Sequence, residues 1–542
     1  MNSLIETDVA VVGGGLAGLS AAGRAAGLGA RVTLLDKARA GSSGLTAFSA
    51  GGILCWVPGQ DSLGDWVQSF LEAGEGLNSR AWVTRFLEGN YRQLESLESR
   101  GYPFLKDGEG HFIRHTGPGP QNRHLIAPMR RFQEKNRQEC QSLGVNIIDR
   151  CCIAVVLTQG GRAAGVAGFD VYTGKVTVVL APAVVICSGG CSYRGPHFGQ
   201  DVVSGEGLAM AMEAGARLAF MEYGNHYGVS LACFDTCGQS EFLSRGGKYV
   251  NGLGQFFLEG EGKPGRRAAG NAAVKAMVDE VSSGRGPIYM DLTAFRQQRP
   301  AWELMPNLKA ALDRSGIDIF ADRHEVIPAF TGASSASPAG IWIDGRCRSS
   351  LAGLFAAGDC ACKGPVTGSC VGIPGIGLAW ANYTGHLAGR SAANYAGSAE
   401  AALYKPELSE ISRQLLLPLG REFARRPGAI LRELGEEMSR VDVSLVRSST
   451  RLVSALGKVS TWRWELENYC GAGDLHELVT WYEAKSALAV AEATLLAAME
   501  RRESRGGHYR EDYPEKSPHF ELALAVEDVK GVRCVLPLSP AD

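Results

Sequence analysis

The chain has 542 residues, 45% of them apolar and 21% charged, with a formal net charge of −2. That length exceeds one compact core, so two or three domains are expected, and a near-neutral chain without a long basic run carries no electrostatic footprint for nucleic acid or anionic lipid. Fourteen dispersed cysteines, no signal-like leader and no apolar run of about 18 residues argue against a disulfide scaffold and a spanning helix, leaving a cytoplasmic protein with reduced thiols as the expectation.

The first predicted unit is DVAVVGGGLAGLSAAGRAAGLGARVTLLDK, residues 8–37. DVAVV is a short apolar run bounded by glycines, the pattern of a buried parallel strand. GGGLAG places Gly13, Gly15 and Gly18 in G-x-G-x-x-G spacing, with Leu16 and Ala17 between the last two, and an alanine-rich helix follows. The spacing suits a tight turn at Gly13, close backbone approach to a pyrophosphate at Gly15, and helix–strand packing at Gly18. A second strand, RVTLLD, ends in Asp36, whose carboxylate suits an unphosphorylated ribose and hence FAD or NAD. Lys37 adjoins this site and is expected to face solvent rather than clamp phosphate.

Farther on, VTVVLAPAVVICSGG (176–190) reads as a strand pair ending in a glycine turn at Gly189. Residues 229–325 mix short strands with the polar helix NAAVKAMVDEVSSG, as an insertion does. The stretch IPAFTGASSASPAGIWIDG (327–345) contains a single ionisable side chain, Asp344. SSLAGLFAAGDC (349–360) then predicts a strand ending at Asp359, and a glycine-rich turn leads to a small-residue helix starting near Ser369–Gly377. A helix N-terminus carries about half a positive charge, which suits the negative edge of a reduced flavin. Two separated nucleotide motifs favour FAD over NAD. From about residue 405 the pattern turns helical and charged, as in ELSEISRQLLLPLGREFARR and HELVTWYEAKSALAVAEATLLAAMERRE.

These elements resemble the FAD-binding flavoproteins of succinate dehydrogenase, fumarate reductase, L-aspartate oxidase and the adenylylsulfate reductase α subunit. GSSGLTAFSAGG (41–52), SGEGLAMAMEAGA (204–216) and ESRGGHYREDYP (503–514) resemble family motifs, while GPIYMDL (286–292) and GLFAAGDCACKGP (353–365) are most similar to adenylylsulfate reductase. The resemblance implies an α/β fold. A Rossmann-like FAD-binding domain (1–228 and 326–400) is interrupted by an inserted α+β capping domain (229–325), and a C-terminal helical domain (401–542) follows. It implies flavin contacts from Ser42, Ser43, Thr46, Gly51, Gly52, Ser369 and Cys370. Leu45 stands where covalent members carry histidine, so FAD is expected to bind non-covalently.

Departures from the family bear on the substrate. Dicarboxylate members carry a histidine–proline pair, a catalytic arginine in an RGEGG loop, a substrate histidine and a second arginine. The matching places here hold His226 or Tyr227 in FMEYGNHYG, Arg245 in LSRGGKYVNGLGQFF, Ser334 in TGASSASPAG, and Thr367 and Ser369 with no arginine in VTGSCVGIPG. Arg245 reads either as a relocated proton donor or carboxylate anchor, or as a surface residue. Thr331, Ser334, Ser335 and Ser337 can orient a neutral or singly charged group, or simply satisfy a turn. Glu222, Arg505 and His508 match family positions near the cofactor or the active-site mouth, where ion-pair and functional roles are both open. His324 and Lys363 are further candidates at the seam between cap and FAD domain.

CSGGC, CFDTC and CAC lack zinc or iron–sulfur spacing, so no metal is expected. The reading is an FAD-dependent oxidoreductase moving a hydride between flavin and a carbon of a small organic substrate. Its electrons go to oxygen or to an electron-transfer partner. Two rivals are a flavin subunit that needs an iron–sulfur partner and a flavin-binding protein without catalysis.

Overall fold

The computed structural model describes residues 3–116, 123–195, 199, 201–236, 242–243, 246–258, 270–297, 306–398, 407–421, 424–529 and 531–538. At its centre is a parallel sheet of five strands: β1 (Val9–Val12), β2 (Val32–Leu35), β3 (Asn146–Ile148), β4 (Ala183–Ile186) and β5 (Leu354–Ala356), in the spatial order β5-β4-β1-β2-β3. Strands β1, β2, β4 and β5 are buried along their whole length, which explains runs such as VAVV and AVVI. Helix α1 (Leu16–Ala26) follows β1, and α2 (Ile376–Ser398) lies along it. The two helices meet backbone to backbone: a Cβ on Gly385 would lie 2.5 Å from the Ala17 carbonyl oxygen, and one on Gly389 2.2 Å from that of Ala21.

The expected pair at 176–190 is two consecutive strands that do not pair with each other. Val176–Leu180 joins an antiparallel sheet with Arg162–Asp170 and Cys151–Gln159, while β4 enters the central sheet. Pro182, which has no N–H to give a ladder, sits in the link. The N-terminal strand Ser3–Glu6 takes the same course alongside, pairing in parallel with Val176–Leu180 before β1 pairs with β4.

The inserted region hangs from two long antiparallel strands, His226–Leu231 and His324–Gly332, extended by Tyr289–Asp291 and Lys248–Val250. Because His226 pairs with Gly332, both ends of the insertion return to the same place. Farther on lie α3 (Ser449–Tyr469) and α4 (Leu475–Glu500). Helix α4 starts at a capping box: the Asp474 side chain accepts from the Glu477 N–H, and the Glu477 carboxylate accepts from the Gly473 N–H. Residues 524–537, which the sequence pattern does not separate from the helices, form a hairpin whose inner strand pairs with Leu218–Ala219. Among the described residues no helix is long and apolar enough to cross a membrane.

One half-buried base on α2 links this packing to pH. Burial first, and then the charges of Arg24, Arg390 and Arg100, hold the His386 imidazole down to about 4. The folded value lies below the unfolded one, so at low pH the unfolded chain takes up a proton that the fold refuses. The stabilisation is complete above ~6.5 and is lost as pH falls towards the folded value. Denaturation midpoints measured from about pH 7 down to about pH 5 are expected to include a fall of up to ~1.4 kcal/mol per pH unit from this group. His386→Gln is expected to flatten the profile by that share, and an identical profile contradicts the assignment.

Candidate active site

At the C-terminal ends of β1 and β4 the two backbones touch. A Cβ on Gly13, whose φ of 100° already favours glycine, would lie 2.4 Å from the Cys187 carbonyl oxygen. One on Gly18 would lie 1.8 Å from the Gly13 carbonyl oxygen. Gly15 differs, because the nearest atom to its Cβ position is Thr46 Oγ1 at 3.8 Å. It is also the N-cap of α1 and supplies no capping side chain, so the first N–H groups of the helix face this opening. Leu16 and Ala17 bury their side chains, which leaves their backbone for a ligand, and the Leu16 N–H lies 3.4 Å from Thr46 Oγ1.

Asp36 is held firmly. Its Oδ2 accepts from the Gly14 N–H at 2.7 Å, and its Oδ1 accepts from the Ala38 N–H and the Ser43 hydroxyl. A carboxylate offers about four acceptor positions, so one remains for a ribose hydroxyl. Ser42 is exposed on the same loop. Gly51 packs on the Ala127 carbonyl, and Gly52 pairs with Ile126. Gly189 receives a hydrogen bond from the Cys360 thiol on its carbonyl.

Lys37 corrects the expectation drawn from the sequence. It is half-buried rather than free in solvent, and its ammonium lies 2.5 Å from Glu206 and 2.6 Å from Glu483 of α4. Two carboxylates offset the desolvation of one ammonium and draw it away from a phosphate.

The second cradle begins where β5 ends. Asp359 Oδ1 is buried 3.0 Å from Lys363 Nζ, in an ion pair whose geometry makes no hydrogen bond. Lys363 is itself buried and donates to the Ser337 carbonyl. Ser369 is also corrected: its hydroxyl donates to the Gly74 carbonyl, and its own carbonyl accepts from the Gly507 N–H, so both groups are used within the protein. Cys370 is half-buried beside it. Helix α2 starts at Ile376, inside the expected interval. Gly372 and Gly375 in the turn before it have φ of 101° and 68°, and the sequence pattern singles out neither. His124, also missed, packs its ring against this turn.

Of the catalytic candidates, Arg245 lies outside the described residues. His226 is half-buried, with Nδ1 2.6 Å from Thr331 Oγ1, and a Cβ on Gly372 would lie 3.7 Å from its Nε2. Tyr227 points elsewhere, donating its hydroxyl to the Ser439 carbonyl, because a register irregularity and strand alternation separate it from His226. Ser334 and Ser337 are fully buried and donate to the Thr331 and Tyr223 carbonyls, so these hydroxyls serve the turn. Ser335 is half-buried at φ 44°, and its carbonyl oxygen would lie 3.0 Å from a Cβ on Gly377. His324 bonds to the Asp318 carbonyl within the insertion.

Arg505 belongs to a buried ion network. It pairs with Glu503 at 2.7 Å and donates to the Glu75 and Ser517 carbonyls, which occupies its guanidinium. Glu503 also pairs with Arg501, which pairs with Glu222 at 2.7 Å, and all three are fully buried. Burial pushes the Glu222 carboxyl up and brings Arg447 down to about 10. His508 accepts from Arg447 on Nδ1 and donates from Nε2 to the Arg501 carbonyl, so it is neutral. Burial and the surrounding arginines hold it well below the usual histidine range. The described cysteines are thiols rather than disulfides, and burial raises Cys187, Cys360 and Cys362.

An uncapped helix N-terminus, a fixed acid and a buried carboxylate oxygen lacking a hydrogen bond together fit a dinucleotide. Gly14–Leu16 could hold its pyrophosphate, Asp36 its adenosine ribose, Asp359 its second hydroxylated chain, and the turn before α2 its flavin ring.

Comparison with known proteins agrees. Residues 8–369 match the FAD binding domain family, and residues 431–528 match the fumarate reductase flavoprotein C-terminal family. The chain is 27% identical to one subunit of the CoM/CoB fumarate reductase of Methanothermobacter marburgensis, over 96% of this chain and 97% of that one. It is 29% identical to L-aspartate oxidase of Streptomyces coelicolor, over 94% and 90%. Among solved structures, E. coli quinol fumarate reductase FrdA superposes with a TM-score of 0.86 at 22% identity, covering 100% and 99% of the two chains. Adenylylsulfate reductase of Archaeoglobus fulgidus gives 0.83 at 21% identity, covering 99% and 96%. The matched stretch 8–369 contains the first cradle, its acid and Asp359 of the second: the chain belongs to the FAD-binding flavoprotein family of fumarate reductase and L-aspartate oxidase, and it is an FAD-dependent oxidoreductase.

Proposed function

We propose that this oxidoreductase moves a hydride between FAD and a carbon of a small, neutral or singly charged organic substrate, with His226 handling the accompanying proton. FAD supplies the redox chemistry, and the chain supplies orientation and the proton. The contact between His226 and the turn before α2 carries the reading. Thr331 Oγ1 lies 3.2 Å from the His226 carbonyl and 2.6 Å from Nδ1; in the tautomer that this reading uses, the hydroxyl hydrogen goes to the carbonyl and Nδ1–H is donated to the Thr331 oxygen. In the neutral ring the basic lone pair is then at Nε2, on the side of Gly372. There it takes a proton when substrate is oxidised and returns one when substrate is reduced.

The charge argument against a dicarboxylate rests on partners. Among the described residues, Lys363 is matched by Asp359, Arg505 and Arg501 by Glu503, and Arg501 also by Glu222, while the buried Arg447 is turned to the Glu222 carbonyl and His508 rather than to a carboxylate. Binding a dianion against cations already neutralised leaves part of its desolvation uncompensated. A second reading, a flavin subunit passing electrons to an iron–sulfur partner, is favoured by relatives named as subunits of fumarate reductase. Oxygen is the alternative acceptor. Turnover by the purified chain in air supports the first reading, and turnover only after an iron–sulfur protein is added supports the second.

An anaerobic metabolite screen that follows flavin bleaching tests the substrate class. Neutral or monoanionic compounds are expected to bleach the protein, and rapid bleaching by succinate overturns the charge argument. In His226→Gln, turnover of the compound so found is expected to fall ~10²-fold or more, with FAD content unchanged; wild-type turnover removes His226 from the mechanism. Leu45 offers no nucleophile, so acid precipitation is expected to release all yellow colour into the supernatant. Colour retained in the pellet would falsify non-covalent binding.

A further inference from the structure

His124 lies on Arg123–Ile126, a strand that pairs antiparallel with Gly52–Leu54 of the first flavin loop. It stands opposite Leu54, is buried to 2% exposure, and its Cβ would lie 3.7 Å from a Cβ on Gly52. The ring reaches past this strand to the turn before α2. Its Nε2 is 3.0 Å from the Pro374 carbonyl oxygen, and its Cδ2 would lie 2.6 Å from a Cβ on Gly375. A carbonyl can only accept, so Nε2 carries the hydrogen. The next carbonyl, that of Gly375, accepts from the Leu54 N–H at 3.2 Å. The Pro374 carbonyl is therefore tied back to the strand pair, while the Gly375 carbonyl is shared between Leu54 and the Ala379 N–H of α2, at 3.3 Å. No side chain fits at Gly375, because its Cβ would also lie 2.8 Å from the Leu54 nitrogen.

The electrostatic consequence concerns α2, a helix of 23 residues. Its N-terminal end carries partial positive charge from unpaired N–H groups, and carbonyl oxygens turned towards the same spot would cancel it. The Gly375 carbonyl points along α2 to the Ala379 N–H, and the Ile376 N–H reaches the Ile373 carbonyl only at 3.5 Å, which leaves the Pro374 carbonyl, held by His124, as the one turned towards the strand pair by a side chain.

We propose that His124 is a positioning residue that sets the reduction potential of the bound FAD, by holding the Pro374 carbonyl away from the positive end of α2. The first flavin loop and the second cradle are thereby joined in one electrostatic unit, and the histidine needs no contact with substrate.

The test uses FAD-loaded protein carrying His124→Leu, His124→Asn or His124→Gln, with midpoint potential and FAD dissociation constant measured for each. Leucine removes the donor, asparagine is too short to reach Pro374, and glutamine places an N–H near the position of Nε2. His124→Leu and His124→Asn are expected to lose about tenfold of the preference for reduced over oxidised cofactor, a shift of ~30 mV to more negative potential. His124→Gln is expected to recover most of it. Should leucine empty the site, the asparagine–glutamine pair carries the same comparison. Weaker FAD binding at an unchanged potential assigns His124 to fold support and overturns the proposal, as do equal potentials in the asparagine and glutamine variants.

Discussion

The flavin site depends on β4 pairing with β1 on one side and β5 on the other. Each strand carries part of a cradle at its exit, and the exits are in contact: Gly13 against Cys187, the Cys360 thiol on the Gly189 carbonyl, Gly358 against Ala17. An added carbon would not fit at Gly13 against the Cys187 backbone or at Gly358 against the Ala17 methyl, because the interior is close-packed. The same tightness continues into α1 and α2, whose glycine and alanine faces let the two N-termini converge on one ligand. Two distant segments of sequence thus form one nucleotide site through parallel strand pairing and small residues.

How far this was legible follows from how local each signal is. The first cradle could be read from the chain because strand, glycine spacing, helix and acid lie within one β-α-β unit. The second was legible because apolar residues run up to Asp359 and small residues fill the helix beyond. Lys37 was misread because its partners, Glu206 and Glu483, are remote in sequence, and nothing beside it shows that two carboxylates will arrive. Ser334, Ser337 and Ser369 look identical on paper to hydroxyls that face a ligand, yet tertiary contacts turn all three inward. His124 leaves no local trace, since its place is created by strand register with Leu54. Pro182 was the available hint that 176–190 changes sheets, because proline interrupts a ladder.

The C-terminal signature ESRGGHYREDYP gains a physical meaning from the ion network. Glu503 and Arg505 turn inward to Arg501 and the Glu75 carbonyl, and its glycines let backbone meet Ser369 behind the second cradle. Buried charges of this kind add little net stability compared with apolar packing, but removing one leaves the others uncompensated. Their value is geometric. Glu222, which lies just before His226 in sequence, is tied to Arg501 after α4, so the segment leading to the proposed base is fixed to the last helix. The tyrosine–arginine contacts around Tyr223 extend the same tie.

The clasp between Lys37 and Glu483 bears on how the protein is made. The loop following the ribose acid and its counter-charge on α4 lie 446 positions apart in sequence. Until the two segments meet, that lysine lacks one of its two carboxylates. Closing a loop of that length is entropically costly, so the pair ties the finished fold together rather than directing its earliest contacts.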